Sequence, residues 1–182
     1  MKIKIIAILL TAIYGVSFGQ ANTYKKAEID SIISLFRNQT GIRALAYKDT
    51  ILVHEAIKNQ LSVSSKKQDK WVSVKIPKNA MIYGGLPGSS PFFTTSKTLK
   101  EADSLLIKFW KSLQVESNQI YGYRPWVGEF RIKDTIKVAI TMTQANPQFG
   151  KGGAWQIFVK EHEKNLVLMD TIKLRSSNKF AN

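Results

Sequence analysis

The chain has 182 residues, of which 44% are apolar and 22% charged, a composition typical of one ordinary globular domain. Wholesale disorder and a collagen-like fibre are excluded. There are 27 basic and 13 acidic residues, giving a formal net charge of +14, and there is no cysteine. Disulfide scaffolds, thiolate zinc sites and thiol nucleophiles are therefore excluded as well, and with only two histidines we predict no metal site.

The first 19 residues have the pattern of a secretory signal peptide. Lysines precede an apolar run over 5–14, and small residues stand before a cleavage position at Gly19/Gln20. We expect the mature protein to be secreted or periplasmic, a single α+β domain over 20–182 with a net charge of +12. A field of that sign attracts polyanions such as nucleic acid, anionic lipid or a phosphorylated ligand.

The spacing of apolar residues predicts an α+β fold, with antiparallel strands in two packed or split sheets and two helices. The first helix spans 27–37, and the second spans 99–113 with Thr98 as its N-cap and Glu101 three residues later. A polar, lysine-rich loop is expected over 58–70. The predicted strands are, in chain order, 42–47, 51–57, 71–76, 81–83, 127–132, 136–143, 155–160 and 166–174.

Two segments, 81–96 and 145–159, combine aromatic side chains with glycines, and the first also carries a row of hydroxyls. Glycines let a ligand approach the backbone, and an aromatic ring such as that of Trp155 can stack on a flat ring. The turn at 150–153 offers backbone N–H groups and the cation of Lys151 to a diphosphate. Together these features predict a ligand cleft that does not depend on an ionised catalyst.

The stretch from Ile76 to Val159 resembles the C-terminal toxin domains of bacterial polymorphic toxins. The similar elements are IPKNAMIYGGLPGSSPFFTT, KSLQV, YGYRPWVGEFRI and ANPQFGKGGAWQIFV. A Tyr-x-Gly motif followed by Phe-Thr-Thr-Ser is also similar to the layout of ADP-ribosyltransferases and NAD-glycohydrolases. In that layout a strand carrying Ser/Thr-Thr-Ser shapes the nicotinamide pocket. The resemblance implies an ADP-ribosyltransferase-like fold and NAD as the substrate, with no further cofactor.

The same resemblance implies roles for particular residues. Gln156 takes the place of the late catalytic Gln or Glu and would orient the nicotinamide ribose as the glycosidic bond lengthens. Arg124 or Lys151 would neutralise the diphosphate, and Trp155 would contact the substrate. Tyr83 and Gly84 would line the pocket, and its middle strand would be formed by Phe93, Thr94, Thr95 and Ser96, with Thr95 beside Gln156 as a catalytic residue.

The sequence departs from this layout at two positions. The arginine that usually precedes the first glycine is missing, because the sequence reads Tyr83-Gly84-Gly85. Phe158 stands where a Gln/Glu-x-Glu motif would have its acid. These departures argue against arginine-directed transfer more than against NAD hydrolysis.

We therefore interpret the chain as an exported, toxin-like enzyme that consumes NAD, with an immunity protein and a polyanion as candidate partners. Two alternatives stay open. The basic charge and the tryptophans would also suit a ribonuclease-like toxin in which His54 and His162 act as acid and base. A non-catalytic binding protein of the cell envelope would explain the signal peptide and the basic surface without any chemistry.

Overall fold

The structure, a computed structural model, describes residues 24–63, 70–86, 88, 90–146, 148 and 150–176. The predicted signal peptide lies outside the described residues. Within the described part of the chain, no helix has the length and apolar character that crossing a membrane would require.

The described elements confirm an α+β fold with antiparallel strands. The helices are α1 (Lys26–Thr40), α2 (Thr50–Val63), α3 (Ser96–Glu101), α4 (Leu106–Ser112) and α5 (His162–Asn165). The strands are β1 (Leu45–Ala46), β2 (Val72–Ile76), β3 (Met81–Gly85), β4 (Phe92–Phe93), β5 (Trp126–Ile132), β6 (Ile136–Met142), β7 (Trp155–Phe158) and β8 (Leu166–Lys173).

The strands form two antiparallel sheets, as the sequence predicts. The larger sheet has the order β1-β2-β6-β7-β4, and the smaller has the order β3-β5-β8. The two sheets meet where Tyr83 of β3 and Thr94, directly after β4, exchange both backbone hydrogen bonds, with N···O distances of 2.9 and 2.7 Å. Strands β3 and β4 are consecutive in the chain and yet belong to different sheets.

The larger sheet is covered on both faces. Ile33 and Phe36 of α1 pack with Val138 of β6 in the main core. The next residue of β6, Ala139, points to the opposite face and packs with Leu52 of α2. Since both faces are apolar, the inner strands have long buried runs rather than a clean alternation.

The predicted strand over 51–57 is wrong, because these residues lie in α2. Short apolar runs do not distinguish a strand from a helix. The buried residues, Leu52 and Ala56, are four apart and so share one helical face. The N–H of Leu52 donates to Oδ1 of Asp49 at 3.0 Å, which caps the helix. The helix continues into the predicted loop 58–70, of which residues 64–69 lie outside the described part.

The predicted hairpin between 42–47 and 51–57 is therefore also wrong. Only Leu45 and Ala46 form a strand in this region, and they pair with Lys75 and Val74 of β2 instead.

The predicted helix over 99–113 is two helices, α3 and α4. Between them Asp103 and Ser104 each have a φ of 52°, which breaks the helical path. The backbone of Arg175 binds in this gap, accepting from the N–H of Leu106 at 2.9 Å and donating to Ser104 at 2.8 Å. The N-cap of α3 is Thr95, whereas Thr98, the predicted cap, is buried inside the helix.

The turn before β7 requires glycine at one position for steric reasons. Gly152 and Gly153 both have positive φ, +66° and +87°. A Cβ at Gly152 would lie 2.5 Å from the carbonyl oxygen of Gln144, whereas one at Gly153 would meet nothing within 4 Å.

We expect Gly152→Ala to lower the free energy of unfolding by about 3 kcal/mol, since the backbone of Gln144 must move. Gly153→Ala is the matched control. Its free energy of unfolding should fall by about 1 kcal/mol, because an alanine with a left-handed backbone is unfavourable even where no atom is in the way. Urea unfolding of both variants measures the difference. Equal losses would contradict the steric account.

Candidate functional site

A cleft of about 680 Å³ lies at the junction of the two sheets. It includes the bridge between Tyr83 and Thr94, and one wall is formed by α4 and the segment 113–124 that follows it. This volume is in the range of sites that hold small molecules and cofactors.

Six of the ten predicted site residues line this cleft. They come from four parts of the chain that are distant in sequence, and the strand pairing brings them together. The six are Tyr83, Gly84, Phe93, Thr94, Arg124 and Gln156.

Thr95 and Ser96 do not line the cleft, because the chain turns away after Thr94. The strand predicted over 93–96 ends at Phe93, and Ser96 is the first residue of α3. Thr95 is buried, and its Oγ1 has no hydrogen-bond partner among the described residues.

Trp155 and Lys151 also lie apart from the cleft lining. Trp155 is buried in the main core, where its ring meets Phe36 edge-on with centroids 5.0 Å apart. Its Nε1 donates to Oε1 of Gln39 at 2.9 Å. Lys151 is exposed in the turn before β7.

The carboxamide of Gln156 is fixed at one end. Its Nε2 donates to the carbonyl oxygen of Leu113, just after α4, at 2.9 Å. Its Oε1 is buried and has no hydrogen-bond partner among the described residues. A buried acceptor without a donor is unfavourable by about 1–3 kcal/mol. The arrangement is that of a positioned acceptor.

Tyr83 is oriented by its neighbour across the smaller sheet. It lies directly opposite Glu129 of β5, and its hydroxyl donates to Oε1 of that carboxylate at 2.5 Å. Burial, this hydrogen bond and the negative charge of Glu129 together raise the pKa of Tyr83 to about 12. The phenol is therefore neutral at physiological pH, and Tyr83 contributes a fixed ring to the cleft rather than a proton.

Gly84 allows the aromatic wall of the cleft to form. A Cβ at this position would lie 2.8 Å from Cδ1 of Phe93, which is closer than side chains pack. The ring of Phe93 occupies that space and also meets Phe130 edge-on, with centroids 5.4 Å apart.

Sequence reasoning missed most of the wall formed by α4 and 113–124. Trp110 donates its Nε1 to the carbonyl of Arg124 at 2.8 Å, which ties the helix to the end of this segment. Gln114 adds a second carboxamide and Glu116 a carboxylate. Burial and the charge of Glu116 raise the pKa of Tyr123. The available signals were the motifs KSLQV and YGYRPW, in which only Arg124 is assigned a role.

The two histidines lie outside the cleft lining. His54 is exposed on α2, and His162 begins the short helix α5. The ring of His162 packs 5.8 Å from that of Phe93. In the part of the chain that the structure describes, no cluster of three or more His, Asp or Glu could hold a metal ion.

The comparisons with known proteins identify this chain as a toxin domain of the kind carried at the C-terminus of polymorphic toxins. Residues 48–161 match the family model of the Rhs1 C-terminal toxin domain, and the chain belongs to this family. The solved structure of Rhs1-CT in complex with its cognate immunity protein RhsI1 is 27% identical with a TM-score of 0.63, covering 70% of this chain and 98% of that one.

A second solved structure, Tse6 in complex with Tsi6, is 12% identical with a TM-score of 0.43, covering 79% of this chain and 95% of that one. No curated protein matches this chain. The predicted resemblance to polymorphic toxin domains is confirmed by the family match. The ADP-ribosyltransferase-like layout stays a prediction.

We expect the Tyr83→Phe variant to lose less stability than the wild type as the pH rises from 10 towards 12. A tyrosine whose pKa rises on folding from 10 to about 12 stabilises the folded protein below pH 10 and loses that contribution as the pH rises towards 12. Urea unfolding across this range should show a steeper loss for the wild type than for Tyr83→Phe. Tyr121→Phe, which removes an exposed hydroxyl, is the control. Parallel profiles for the wild type and Tyr83→Phe would contradict the assignment.

Proposed function

We propose that this toxin domain consumes NAD, by hydrolysis or by ADP-ribosyl transfer. The observation that carries the proposal is the position of Gln156, with its unpartnered amide oxygen, at a cleft shared with Arg124 and the rings of Tyr83, Phe93 and Trp110. Flat rings suit a pyridine, a guanidinium suits a diphosphate, and a fixed amide suits a ribose.

Hydrolysis breaks the bond between the nicotinamide nitrogen and C1′ of the ribose. Nicotinamide leaves as a neutral molecule with the bonding pair, the oxygen of water bonds to C1′, and one proton is released. As the bond lengthens, positive charge moves from the pyridinium ring to the ribose. In transfer, a nucleophile on another molecule takes the place of water.

Gln156 is suited to stabilise that change. Its Oε1 carries partial negative charge and would accept a hydrogen bond from the ribose or face the developing positive charge. Because Nε2 is already bound to the carbonyl of Leu113, the dipole needs no reorientation during the reaction.

Among the described residues that line the cleft, Glu116 is the one with a carboxylate, and it lies between the KSLQV and YGYRPW motifs. We assign it the role of accepting the proton from the attacking water. Glu116→Gln removes the base and keeps the shape, so we expect turnover to fall by about 100-fold with little change in NAD affinity. Initial rates and binding measured side by side check this, and unchanged turnover would remove Glu116 from the mechanism.

The main test is fluorometric NAD loss with residues 20–182 and with Gln156→Ala. We expect the wild type to consume NAD and Gln156→Ala to lose at least about 100-fold in rate, because an oriented dipole at the reacting ribose is gone. Circular dichroism should show that the variant is folded, since the truncation removes one side-chain hydrogen bond, to the carbonyl of Leu113.

Gln148→Ala is the matched control, because Gln148 is exposed and outside the cleft lining. It should turn over NAD like the wild type. Total RNA incubated with the protein should stay intact, which separates this proposal from the ribonuclease-like alternative. A folded wild type that leaves NAD unchanged would overturn the proposal and return the choice to RNA cleavage or simple binding.

We also infer an immunity protein as the partner of this domain. Rhs1-CT is solved with its cognate immunity protein, and the basic charge of this chain favours an acidic one. Export through the signal peptide predicted over 1–19 would deliver the toxin outside the producing cell.

A further inference from the structure

We infer that the ring of Tyr121 is a stacking platform at the rim of the cleft, which binds the purine base of the dinucleotide. The inference rests on the proposed function, because it takes NAD as the ligand and Gln156 as the residue at the reacting ribose. It gives the purine end of the ligand a binding position of its own.

Tyr121 lies at the tip of a short turn that forms part of the cleft wall. The turn is closed by two backbone hydrogen bonds between Asn118 and Gly122, with N···O distances of 3.1 and 2.9 Å. Oδ1 of Asn118 also accepts from the N–H groups of Ile120 and Tyr121, at 2.9 and 3.3 Å. The backbone of the tip is thus held by hydrogen bonds within the turn. Its conformation does not depend on any contact from the side chain of Tyr121.

The side chain of Tyr121 has no partner in the fold. The residue lines the cleft and is nevertheless 64% exposed. Among the described residues its hydroxyl has no hydrogen bond and its ring meets no other ring. Other rings of the cleft are held within the protein, since Tyr83 donates to Glu129 and Trp110 donates to the carbonyl of Arg124. The ring of Tyr121 is therefore open to a ligand.

The place of Tyr121 on the wall selects the end of the dinucleotide that it meets. Arg124, the residue proposed for the diphosphate, follows three residues later, and three residues span at most about 11 Å. A base joined to the diphosphate through one ribose is therefore within reach of the Tyr121 ring. Gln156, on β7, is half-buried and is proposed to act at the nicotinamide ribose. The base that remains for the exposed rim is the purine.

Stacking suits this position because it needs a flat face and no fixed hydrogen-bond partner. An aromatic side chain that stacks on a base strengthens binding by about tenfold. A tyrosine has only two side-chain torsions, so little freedom is lost when its ring is covered. Because the turn is already ordered, its backbone need not be fixed on binding, which favours affinity further.

The experiment measures NAD turnover and ADP-ribose binding for the wild type and Tyr121→Ala. ADP-ribose keeps the purine and the diphosphate and lacks the pyridine, so it reports on the purine end alone. We expect Tyr121→Ala to raise the KM for NAD about tenfold with kcat within about twofold of the wild type, because stacking on the purine is the same before and during bond breakage. Calorimetry should show that Tyr121→Ala binds ADP-ribose about tenfold more weakly.

Two further variants control for the ring and for the turn. Tyr121→Phe keeps the ring, so its KM and its ADP-ribose affinity should stay within about twofold of the wild type. Ile120→Ala truncates the neighbouring side chain, which is 93% exposed and outside the cleft lining, and should behave like the wild type. Circular dichroism checks that all three variants are folded, as we expect for substitutions of exposed side chains.

Three results would overturn the inference. They are an unchanged KM and ADP-ribose affinity in Tyr121→Ala, a raised KM with an unchanged ADP-ribose affinity, and an equal loss in Ile120→Ala. The second result would assign the pyridine to Tyr121 instead of the purine. NAD turnover with any of these results would leave the proposed function standing. ADP-ribose binding that depends on Tyr121, without NAD turnover, would remove the proposed function and keep the purine site, and the absence of both would overturn both.

Discussion

The backbone bridge between Tyr83 and Thr94 is the interaction on which the site depends. It joins two sheets whose strands otherwise pair only among themselves. Each residue of the bridge also anchors its side chain in its own sheet. The hydroxyl of Tyr83 donates to Glu129 of β5, and Oγ1 of Thr94 donates to the carbonyl of Trp155 at 2.6 Å. Both sheets are thus tied to the same point, and the cleft lies where they part.

The end of helix α4 is the second element that shapes the site. A helix that ends leaves carbonyl oxygens without intrahelical donors. Here the carbonyls of Lys111 and Leu113 accept from the amides of Gln114 and Gln156, one from the helix end itself and one from β7. The carbonyl of Leu113 therefore orients Gln156, whereas the carbonyl of Lys111, which already accepts from the N–H of Leu113, takes a further bond from Gln114. Backbone carbonyls at the end of α4 thus help to orient the side chains of the cleft.

Sequence patterns predict the parts of this fold that have local causes. The spacing of Ile33 and Phe36 identifies α1, and the apolar runs of β5 and β6 identify central strands with bounds that differ by one residue at most. The helix α2 is missed because its apolar residues over 51–57 form short runs that suit a strand as well as a helix. The break between α3 and α4 is missed because its hydrogen bonds come from Arg175, about 70 residues later in the chain.

The distinction between local causes and contacts with distant residues also holds for the candidate site. Six predicted residues meet at the cleft, since the motifs that carry them lie on strands that pair. Trp155 and Thr95 have the right chemistry, but both are buried apart from the cleft lining. Trp155 lies in the main core, and Thr95 is the N-cap residue of α3, with no capping hydrogen bond from its side chain. Gln114 lies in the KSLQV motif, but its contact with the carbonyl of Gly150 is one that only the folded chain creates.

Charge and dipoles act at different ranges in this protein. The net charge of +14 creates a long-range field that attracts anions towards the surface. Inside the cleft, the buried unpartnered acceptors are neutral amides, and the phenol of Tyr83 stays protonated because burial and Glu129 raise its pKa to about 12. Buried carboxylates would instead take up protons or require cationic partners. Oriented amides keep their polarity at any pH, so the cleft can face a cationic pyridinium without a buried ion of its own.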